Sequence, residues 1–281
     1  MITRRNFLKS SAAALPVLAF HNNVWAAKHI PLGVQLYTVR GLAEQDLPGT
    51  LKQVRAIGYN EIEAYGGSYT HSGEQLRQIV LDAGLRVPSG HFDYDSLPGK
   101  FDYAKQLGLK WVVCPMIPQR MWTQDGFRTA AKQFNEFGKR AQDDGMRFAF
   151  HNHDYEFADY GGRTGYDVLV SETDPSLVFF EMDCYWIAQA GHDPLKMMHR
   201  LGKRLRMLHL KDRKAGFPSS DDMGLSSTHF APVGEGAIQW KPILDMAESL
   251  GVEHYFVEQD NTYGHPIESI RSSYRYLRTL A

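Results

Sequence analysis

From residue 30 onward the sequence repeats one unit, which is an amphipathic helical stretch, a glycine, and a short apolar run rich in β-branched and aromatic residues. Copies of the unit span residues 51–64, 76–92, 101–115, 134–152 and 243–259. Because glycine adopts positive φ without strain, a glycine at this place predicts the end of a helix directly before a strand. The glycines in this position are Gly58, Gly84, Gly108, Gly145 and Gly251.

The apolar runs number about eight, and helices that alternate with strands predict parallel strands joined by right-handed crossovers. Eight such units in roughly 250 residues fit a closed barrel. An open doubly wound sheet is the alternative, but residues 37–41, after the first strand, lack the glycine fingerprint of that fold. We therefore predict an α/β fold, a single-domain (β/α)8 TIM barrel over residues 27–281. Its strands are expected near residues 32–37, 60–64, 86–91, 110–115, 147–152, 178–183, 206–211 and 254–259.

Two connections stand out in this scheme. Only residues 164–173 are available for the helix between the fifth and sixth strands. The longest connection, residues 213–240, is rich in glycine and proline and follows the seventh strand. Long loops in compact domains are usually functional. The connection is therefore interpreted as a lid or specificity loop, and a disordered surface insertion is the alternative.

Residues 1–26 have the features of a twin-arginine export signal. Arg4 and Arg5 precede a mildly apolar run, residues 10–20, which is too short to span a bilayer. Cleavage after Ala26 is expected, with Ala27 as the alternative. The sequence thus predicts a periplasmic protein that uses the twin-arginine export machinery and has no stable membrane anchor.

Composition narrows the class of partner. The formal net charge is −1 and no long basic run is present, which argues against binding to nucleic acid. A small, nearly neutral molecule is the expected partner, and a homo-oligomer is left open. The two cysteines, Cys114 and Cys184, lie in different strands that are not consecutive, so two buried free thiols are favoured over a disulfide.

Polar residues spaced by two follow several of the predicted strands. A period of two places both members of a pair on one face of a strand, and in a barrel the inward face at the carboxyl ends forms the mouth of the active site. The pairs are Glu61 and Glu63, His91 and Asp93, His151 and His153, Glu181 and Asp183, His209 and Lys211, and Glu258 and Asp260.

A ring of buried acids needs compensating positive charge, and a divalent cation supplies it. Asp183 and Glu258 bring two negative charges, while His209 adds a nitrogen ligand. This mixed nitrogen and oxygen set suits Mn, Co, Zn or Fe. The alternative for these residues is a hydrogen-bonded structural network.

Five segments of the later strands and their loops form an ordered combination, namely HNHDYEF (151–157), FFEMDCYWIAQAGHDP (179–194), MLHLKD (207–212), PVGEGAIQW (232–240) and YFVEQD (255–260). Together they resemble the sugar phosphate isomerase/epimerase family of xylose-isomerase-like barrels. The resemblance covers essentially the whole mature chain and implies that Asp183, His209 and Glu258 hold the metal, with Glu258 also a catalytic base. His151 stands where the epimerases have a glutamate that is both ligand and base; it can still bind metal.

Because that glutamate is missing, His153 or Glu156 is expected to replace it as a base. Lys211 is a second catalytic candidate, whose ammonium could stabilise an enolate oxygen; a salt bridge is the alternative. Trp186 occupies a position where relatives often carry a substrate-binding histidine. The remaining candidates for substrate contact are Glu63, His91 and Glu181, the last of which could instead orient His209.

These residues favour a metal-dependent isomerase or epimerase that removes a proton next to the carbonyl of a keto-sugar. A lyase that eliminates a substituent from an oxidised sugar or glycoside is the alternative, because one of the two family glutamates is absent. A non-catalytic sugar-binding barrel is a further alternative. An abasic-site endonuclease shares the barrel but is disfavoured by the charge.

Overall fold

The computed structural model describes residues 30–222 and 228–280. The export signal predicted for residues 1–26 lies outside the described residues. None of the helices in the two described ranges has the length and apolar character that a bilayer crossing requires.

Eight parallel strands close into a barrel in which the first strand pairs with the last. This closure confirms the predicted (β/α)8 barrel and excludes the open sheet. Every strand of the barrel lies within one residue of a predicted run or inside it. The barrel strands are β1 Leu32–Gln35, β2 Glu61–Ala64, β3 Arg86–His91, β4 Trp111–Cys114, β5 Arg147–His151, β6 Val178–Asp183, β7 Leu205–Leu210 and β10 His254–Val257.

Helices surround the barrel, and the five glycines predicted to end them all have positive φ. The helix expected from the weakest pattern, α6, forms because the side chains of Thr164 and Asp167 cap each other's backbone N–H groups. The helices are α1 Arg40–Gln45, α2 Leu47–Ile57, α3 Gly73–Asp82, α4 Phe101–Leu107, α5 Gln124–Asp143, α6 Gly165–Glu172, α7 Cys184–Gln189, α8 Pro194–Leu201, α9 Trp240–Leu250 and α10 Pro266–Leu280.

The core has two parts. One large apolar cluster fills the space between the strands and the helices. A smaller one lies inside the barrel and contains Trp111, Met207 and Phe256. This inner plug fills the lower part of the barrel, so polar side chains at the carboxyl ends of the strands have an apolar floor beneath them. Cys114 and Cys184 are buried free thiols, as predicted.

The described part of the long β7–β10 connection is built on the buried carboxylate of Asp212. Two short strands, β8 Asp212–Arg213 and β9 Phe230–Ala231, pair antiparallel. The Asp212 carboxylate then accepts hydrogen bonds from the backbone N–H groups of Gly234, Gly236 and Ile238 and from the indole of Trp240. Gly236 is required there because a Cβ would collide with that carboxylate. Residues 223–227 lie outside the description, and the lid or specificity role of this connection remains a prediction.

Replacing this anchor tests how the connection is held. We expect Asp212→Ala to lower the free energy of unfolding by about 2–4 kcal/mol, because several buried N–H donors lose their acceptor. Urea unfolding of the two proteins measures the difference. Asp245→Ala, which removes an exposed carboxylate on α9 paired with Lys241, should cost less than about 0.5 kcal/mol. Equal losses in the two variants would contradict the anchoring role.

Candidate metal centre and active site

Four buried side chains meet at the carboxyl ends of neighbouring strands. His151 ends β5, Asp183 ends β6, His209 lies near the end of β7, and Glu258 follows β10. Each offers one ligand atom, and these atoms all lie within 4.8 Å of one another. The structure therefore brings together the four residues predicted to hold a metal, and we call them the ligand cluster.

Asp183 is positioned by the way β6 turns into α7. Its Oδ1 caps α7 by accepting the backbone N–H of Trp186 at 3.0 Å. The side chain of Asn152 binds the backbone of Asp183 at both N–H and C=O. The other oxygen, Oδ2, is buried and accepts no hydrogen bond of good geometry from the described residues. One oxygen is thus used for structure, and the second is left to face the ligand cluster.

A layer of carboxylates lies behind the histidines of the cluster. The Nε2 atom of His209 lies 2.6 Å from Glu63, and the Nδ1 atom of His151 lies 3.2 Å from Glu181. A carboxylate can only accept, so these nitrogens carry protons. The opposite nitrogens face the cluster, where Nε2 of His151 is 3.8 Å from Asp183 and Nδ1 of His209 is 2.8 Å from Glu258. Carboxylates behind metal-binding histidines commonly fix the ring orientation in this way.

His91 joins the same layer from β3. Its Nε2 atom lies 2.8 Å from Glu181 and 3.1 Å from Glu63. Burial lowers the pKa of His91, but these two carboxylates outweigh it and raise the pKa to about 9. Burial has the opposite effect on a carboxyl group and raises the pKa of Glu181. The histidines around Glu181 outweigh burial, and they lower this pKa to about 2. The layer is therefore a set of ion pairs that is charged at neutral pH.

The ligand cluster carries excess negative charge, and a lysine partly balances it. The Nζ atom of Lys211 lies 3.1 Å from Asp183, 2.7 Å from Glu258 and 2.9 Å from Asp260. Even so, burial raises the pKa of Asp183 to about 6, which means that its negative charge is incompletely compensated. Two carboxylates and two imidazoles around an oxygen that lacks a hydrogen bond fit a divalent cation.

A second group of possible ligands, formed by His91, His151, Glu181 and His209, fits a metal less well. The nitrogens that would bind it already donate to Glu181 or Glu63. To bind a cation, these nitrogens would have to lose their protons, although the carboxylates that stabilise those protons would remain beside them. In the ligand cluster only Nδ1 of His209, which lies 2.8 Å from Glu258, would have to lose a proton, and Glu258 is itself one of the four members of the cluster. The ligand cluster is therefore the better metal centre.

A cavity of about 680 Å³ opens above the ligand cluster. His153 lies on its wall, and its Nδ1 atom has no hydrogen-bond partner among the described residues. Burial, together with the ammonium of Lys211, lowers the pKa of His153 to about 3, so its imidazole is neutral at pH 7. The cavity is lined by Tyr37, Arg40, Tyr65, Gly66, His91, Asp93, Pro115, Met116, His151, His153, Trp186, Lys211, Phe230, Glu258, Asp260 and Asn261.

Some of the predicted site residues lie away from this cavity. Glu63 and Glu181 are fully buried beneath the histidines and are not part of its lining, so the predicted substrate contact is replaced by a positioning role. Glu156 is also buried outside the lining, where it accepts the backbone N–H of His153 at 2.9 Å. His153 is therefore better placed than Glu156 to act as a base. His91, Lys211 and Trp186 line the cavity, as their predicted roles require.

Other residues at the site were not predicted from the sequence. In the sequence Asp260 is marked only by its spacing from Glu258, yet its carboxylate binds Lys211. Asn152 lies between His151 and His153, and its place directly after β5 is the signal that could have found it. Tyr37 and Arg40 follow β1, and this position places them at the barrel mouth.

Comparison with known proteins agrees with this architecture. Residues 51–280 match the family described as xylose isomerase-like TIM barrel. The chain belongs to this family. It is also 26% identical over 272 residues to an inosose dehydratase from Clostridium beijerinckii, covering 84% of this chain and 90% of the relative.

Two solved structures align along nearly the whole chain. A sugar phosphate isomerase/epimerase from Parabacteroides distasonis has a TM-score of 0.74 at 25% identity, with 92% of this chain and 97% of that chain covered. The zinc-bound IOLI protein has a TM-score of 0.68 at 14% identity, with 89% and 98% covered, and shares the fold. The relatives and the structural neighbours together show that the chain is an enzyme.

Metal content tests the ligand cluster. We expect the purified enzyme to hold about one divalent ion per chain, and Asp183→Ala to reduce metal affinity by about 100-fold or more because a charged ligand is lost. Metal analysis after dialysis gives both values. Asp93→Ala removes a carboxylate that lines the same cavity outside the cluster and should leave the metal bound. Equal metal loss in both variants would contradict the assignment.

The buried carboxyl of Glu156 predicts a pH-dependent stability. Burial raises its pKa from 4.5 to about 8, so the folded protein binds a proton that the unfolded chain has already lost between these pH values. The contribution of Glu156 to the free energy of unfolding is therefore fully present below about pH 4.5 and is lost as the pH rises towards 8.

Glu156→Gln removes this cost while keeping an acceptor for the N–H of His153. At pH 9 we expect its free energy of unfolding to exceed that of the wild type by up to about 4 kcal/mol, with no difference at pH 4.5. Urea unfolding at the two pH values measures this. Glu136→Gln, on the exposed face of α5, should change stability by less than about 0.5 kcal/mol at both. A gain at pH 9 that persists at pH 4.5 would show that burial of the charge is not the cause.

Proposed function

We propose that this enzyme is a divalent-metal-dependent lyase that acts on an oxidised sugar or cyclitol, removing the proton next to the carbonyl and expelling the β-substituent. The observation that carries the proposal is a pair of histidines outside the ligand cluster. His91 and His153 both line the cavity and both pack against His151, with ring centroids 5.1 and 5.0 Å away. Their different hydrogen-bond partners suit them to opposite proton-transfer roles.

His153 is assigned as the base. Its side chain lines the cavity, but its Nδ1 atom is buried without a hydrogen-bond partner among the described residues, which leaves Nε2 as the nitrogen that can accept a proton from carbon. Its backbone is fixed by Glu156 and its ring packs at 5.2 Å from Trp186. Because burial and the ammonium of Lys211 lower the pKa of His153 to about 3, its imidazole is a weak base, and proton transfer to it requires the divalent cation to make the C–H acidic.

His91 is assigned as the acid. Its Nε2 atom is taken up by Glu63 and Glu181, so Nδ1 is the nitrogen available to the cavity. The same two carboxylates keep the ring protonated, which gives Nδ1 a proton to donate to a departing oxygen. Elimination needs such a donor, because an alkoxide or hydroxide is a poor leaving group.

A divalent cation held by His151, Asp183, His209 and Glu258 would polarise the substrate carbonyl and make the neighbouring C–H acidic. The ammonium of Lys211, which lies among Asp183, Glu258 and Asp260, supplies further positive charge towards a developing enolate oxygen. Trp186 and Phe230 lie 5.2 and 5.8 Å from that ammonium and keep water from this side of the site.

The position on β5 also favours elimination over epimerisation. Epimerisation needs two bases on opposite faces of one carbon, and the glutamate that would supply one of them is His151 here. Both nitrogens of His151 are engaged, since Nδ1 donates to Glu181 and Nε2 faces Asp183. The curated relatives with the name inosose dehydratase support a lyase as well. The predicted isomerase remains the second candidate, favoured by the structural similarity to a sugar phosphate isomerase/epimerase.

Proton NMR in deuterated buffer separates the two reactions. An inosose or a 3-oxo-glucoside incubated with the metal-loaded enzyme should lose water or alcohol and form an enone. Exchange of the proton next to the carbonyl for deuterium without loss of the substituent would instead identify an isomerase.

The acid role of His91 predicts a dependence on the leaving group. His91→Gln should lower kcat by about 100-fold for a 3-oxo-glucoside with an alkyl alcohol as leaving group. With p-nitrophenol as leaving group, which departs without a proton, the loss should be less than about 5-fold. Steady-state rates with the two substrates measure this difference. Equal losses would show that His91 serves the structure of the layer and does not donate the proton.

A further inference from the structure

We infer that the outer half of the cavity binds a ring-bearing leaving group, either a second sugar or an aryl group, so that the preferred substrate is an oxidised glycoside. This inference rests on the proposed function and specifies its substrate class. It arises from five lining residues that the chemistry above does not use, which we call the outer patch. They are Tyr37, Arg40, Tyr65, Gly66 and Met116.

The outer patch is a built surface. The rings of Tyr37 and Tyr65 lie 5.5 Å apart and nearly perpendicular, at 85°. The guanidinium of Arg40 lies 4.0 Å from the centre of the Tyr37 ring. It is held there by hydrogen bonds to the backbone carbonyl oxygens of Tyr37 and, at 2.9 Å, Asp260. Because Asp260 also binds Lys211, the patch is connected directly to the reacting half of the cavity.

Two large apolar side chains of the outer patch are exposed to solvent, which is unusual for side chains of this kind. Tyr37 is 38% exposed and Met116 is 36% exposed, and they are two of the five large apolar side chains that are exposed in the described residues. Both face one concave site above the ligand cluster. Aromatic and apolar side chains in this position suit the flat apolar face of a sugar or an aryl ring.

The size of the cavity points the same way. A single pyranose occupies on the order of 200 Å³ at the packing density of protein interiors, whereas the cavity measures about 680 Å³. A monosaccharide seated at the ligand cluster would therefore leave room in the cavity for a second ring. A second ring linked through the bond that breaks would fill the outer half.

The chemistry of such a substrate balances without another reactant. In a 3-oxo-glycoside the base takes the proton from C2, the C2–H electrons form the C1=C2 bond, and the C1–O bond to the leaving group breaks. His153 receives the proton and His91 gives one to the departing oxygen, so the products are a cyclic enone and an alcohol or phenol. The leaving group is the part of the substrate that faces the outer patch.

Gly66 allows a direct test. A Cβ at Gly66 would meet no other atom within 4 Å, and its φ lies outside the positive range, so a side chain can be added without strain. Gly66→Leu should narrow the outer half of the cavity. We expect it to lower the ratio of kcat/KM for phenyl 3-oxo-glucoside to that for methyl 3-oxo-glucoside by at least 10-fold. The same loss is expected for the ratio of a 3-oxo-disaccharide to the methyl compound.

Comparing variants by this ratio removes the difference in intrinsic reactivity between leaving groups, because that difference is the same for every protein. Gly99→Leu is the matched control, since Gly99 also has open space around its Cβ but does not line the cavity. It should leave the ratio unchanged. Tyr37→Ala should lower the ratio as Gly66→Leu does, through loss of the stacking surface.

The outcomes separate this inference from the proposed function. If the methyl compound is eliminated but Gly66→Leu leaves both ratios unchanged, the outer patch does not bind the leaving group and the lyase proposal stands. A fall in the phenyl ratio alone would assign the patch to aryl groups, and a fall in the disaccharide ratio alone to sugars.

If neither compound is eliminated, the lyase proposal fails, and equilibrium binding still tests the patch. Phenyl β-glucoside should bind the metal-loaded enzyme at least 10-fold more tightly than methyl β-glucoside, with the difference abolished in Gly66→Leu. Calorimetric titration measures both affinities. Equal affinities in the wild type would overturn the inference.

Discussion

The ion-paired layer of Glu63, Glu181 and His91 inside the barrel is the interaction on which the site depends. These carboxylates are fully buried, and they are stable there because histidines donate to them and because Gln35 and Ser89 bind Glu63. The layer rests on the apolar plug below it and fixes the rings of His151 and His209 in the ligand cluster above it. The orientation of these two rings and the positive charge of His91 both follow from this one arrangement.

Much of this architecture was readable from the sequence. The repeated helix–glycine–strand unit predicted the barrel, and a polar pair lies near the end of six of its eight strands. Period-two spacing also placed Asp183, His209 and Glu258 on the inward face. The spacing does not give the depth of a side chain within the barrel. For that reason the sequence predicts substrate contact for Glu63 and Glu181, which lie buried below the cavity. Depth is set by the stagger between strands, and that stagger appears only when the barrel closes.

The outer patch was hidden from the sequence for a related reason. Tyr37 and Tyr65 follow β1 and β2, whereas Arg40 binds the backbone of Asp260 after β10, at the other end of the chain. Closure of the sheet creates this neighbourhood, and no local pattern encodes it. The same closure joins residues that follow the first two strands, which form the outer patch, to residues of the later strands, which form the ligand cluster.

Each of the four residues from His209 to Asp212 has a different structural role. His209 and Lys211 face the interior as ligand and ammonium, while Leu210 packs in the outer core and Asp212 anchors the following connection. Inserting or deleting one residue here would exchange the two faces, moving the lysine into an apolar layer and the leucine into the ligand cluster. The alternation of faces therefore fixes the length of this segment.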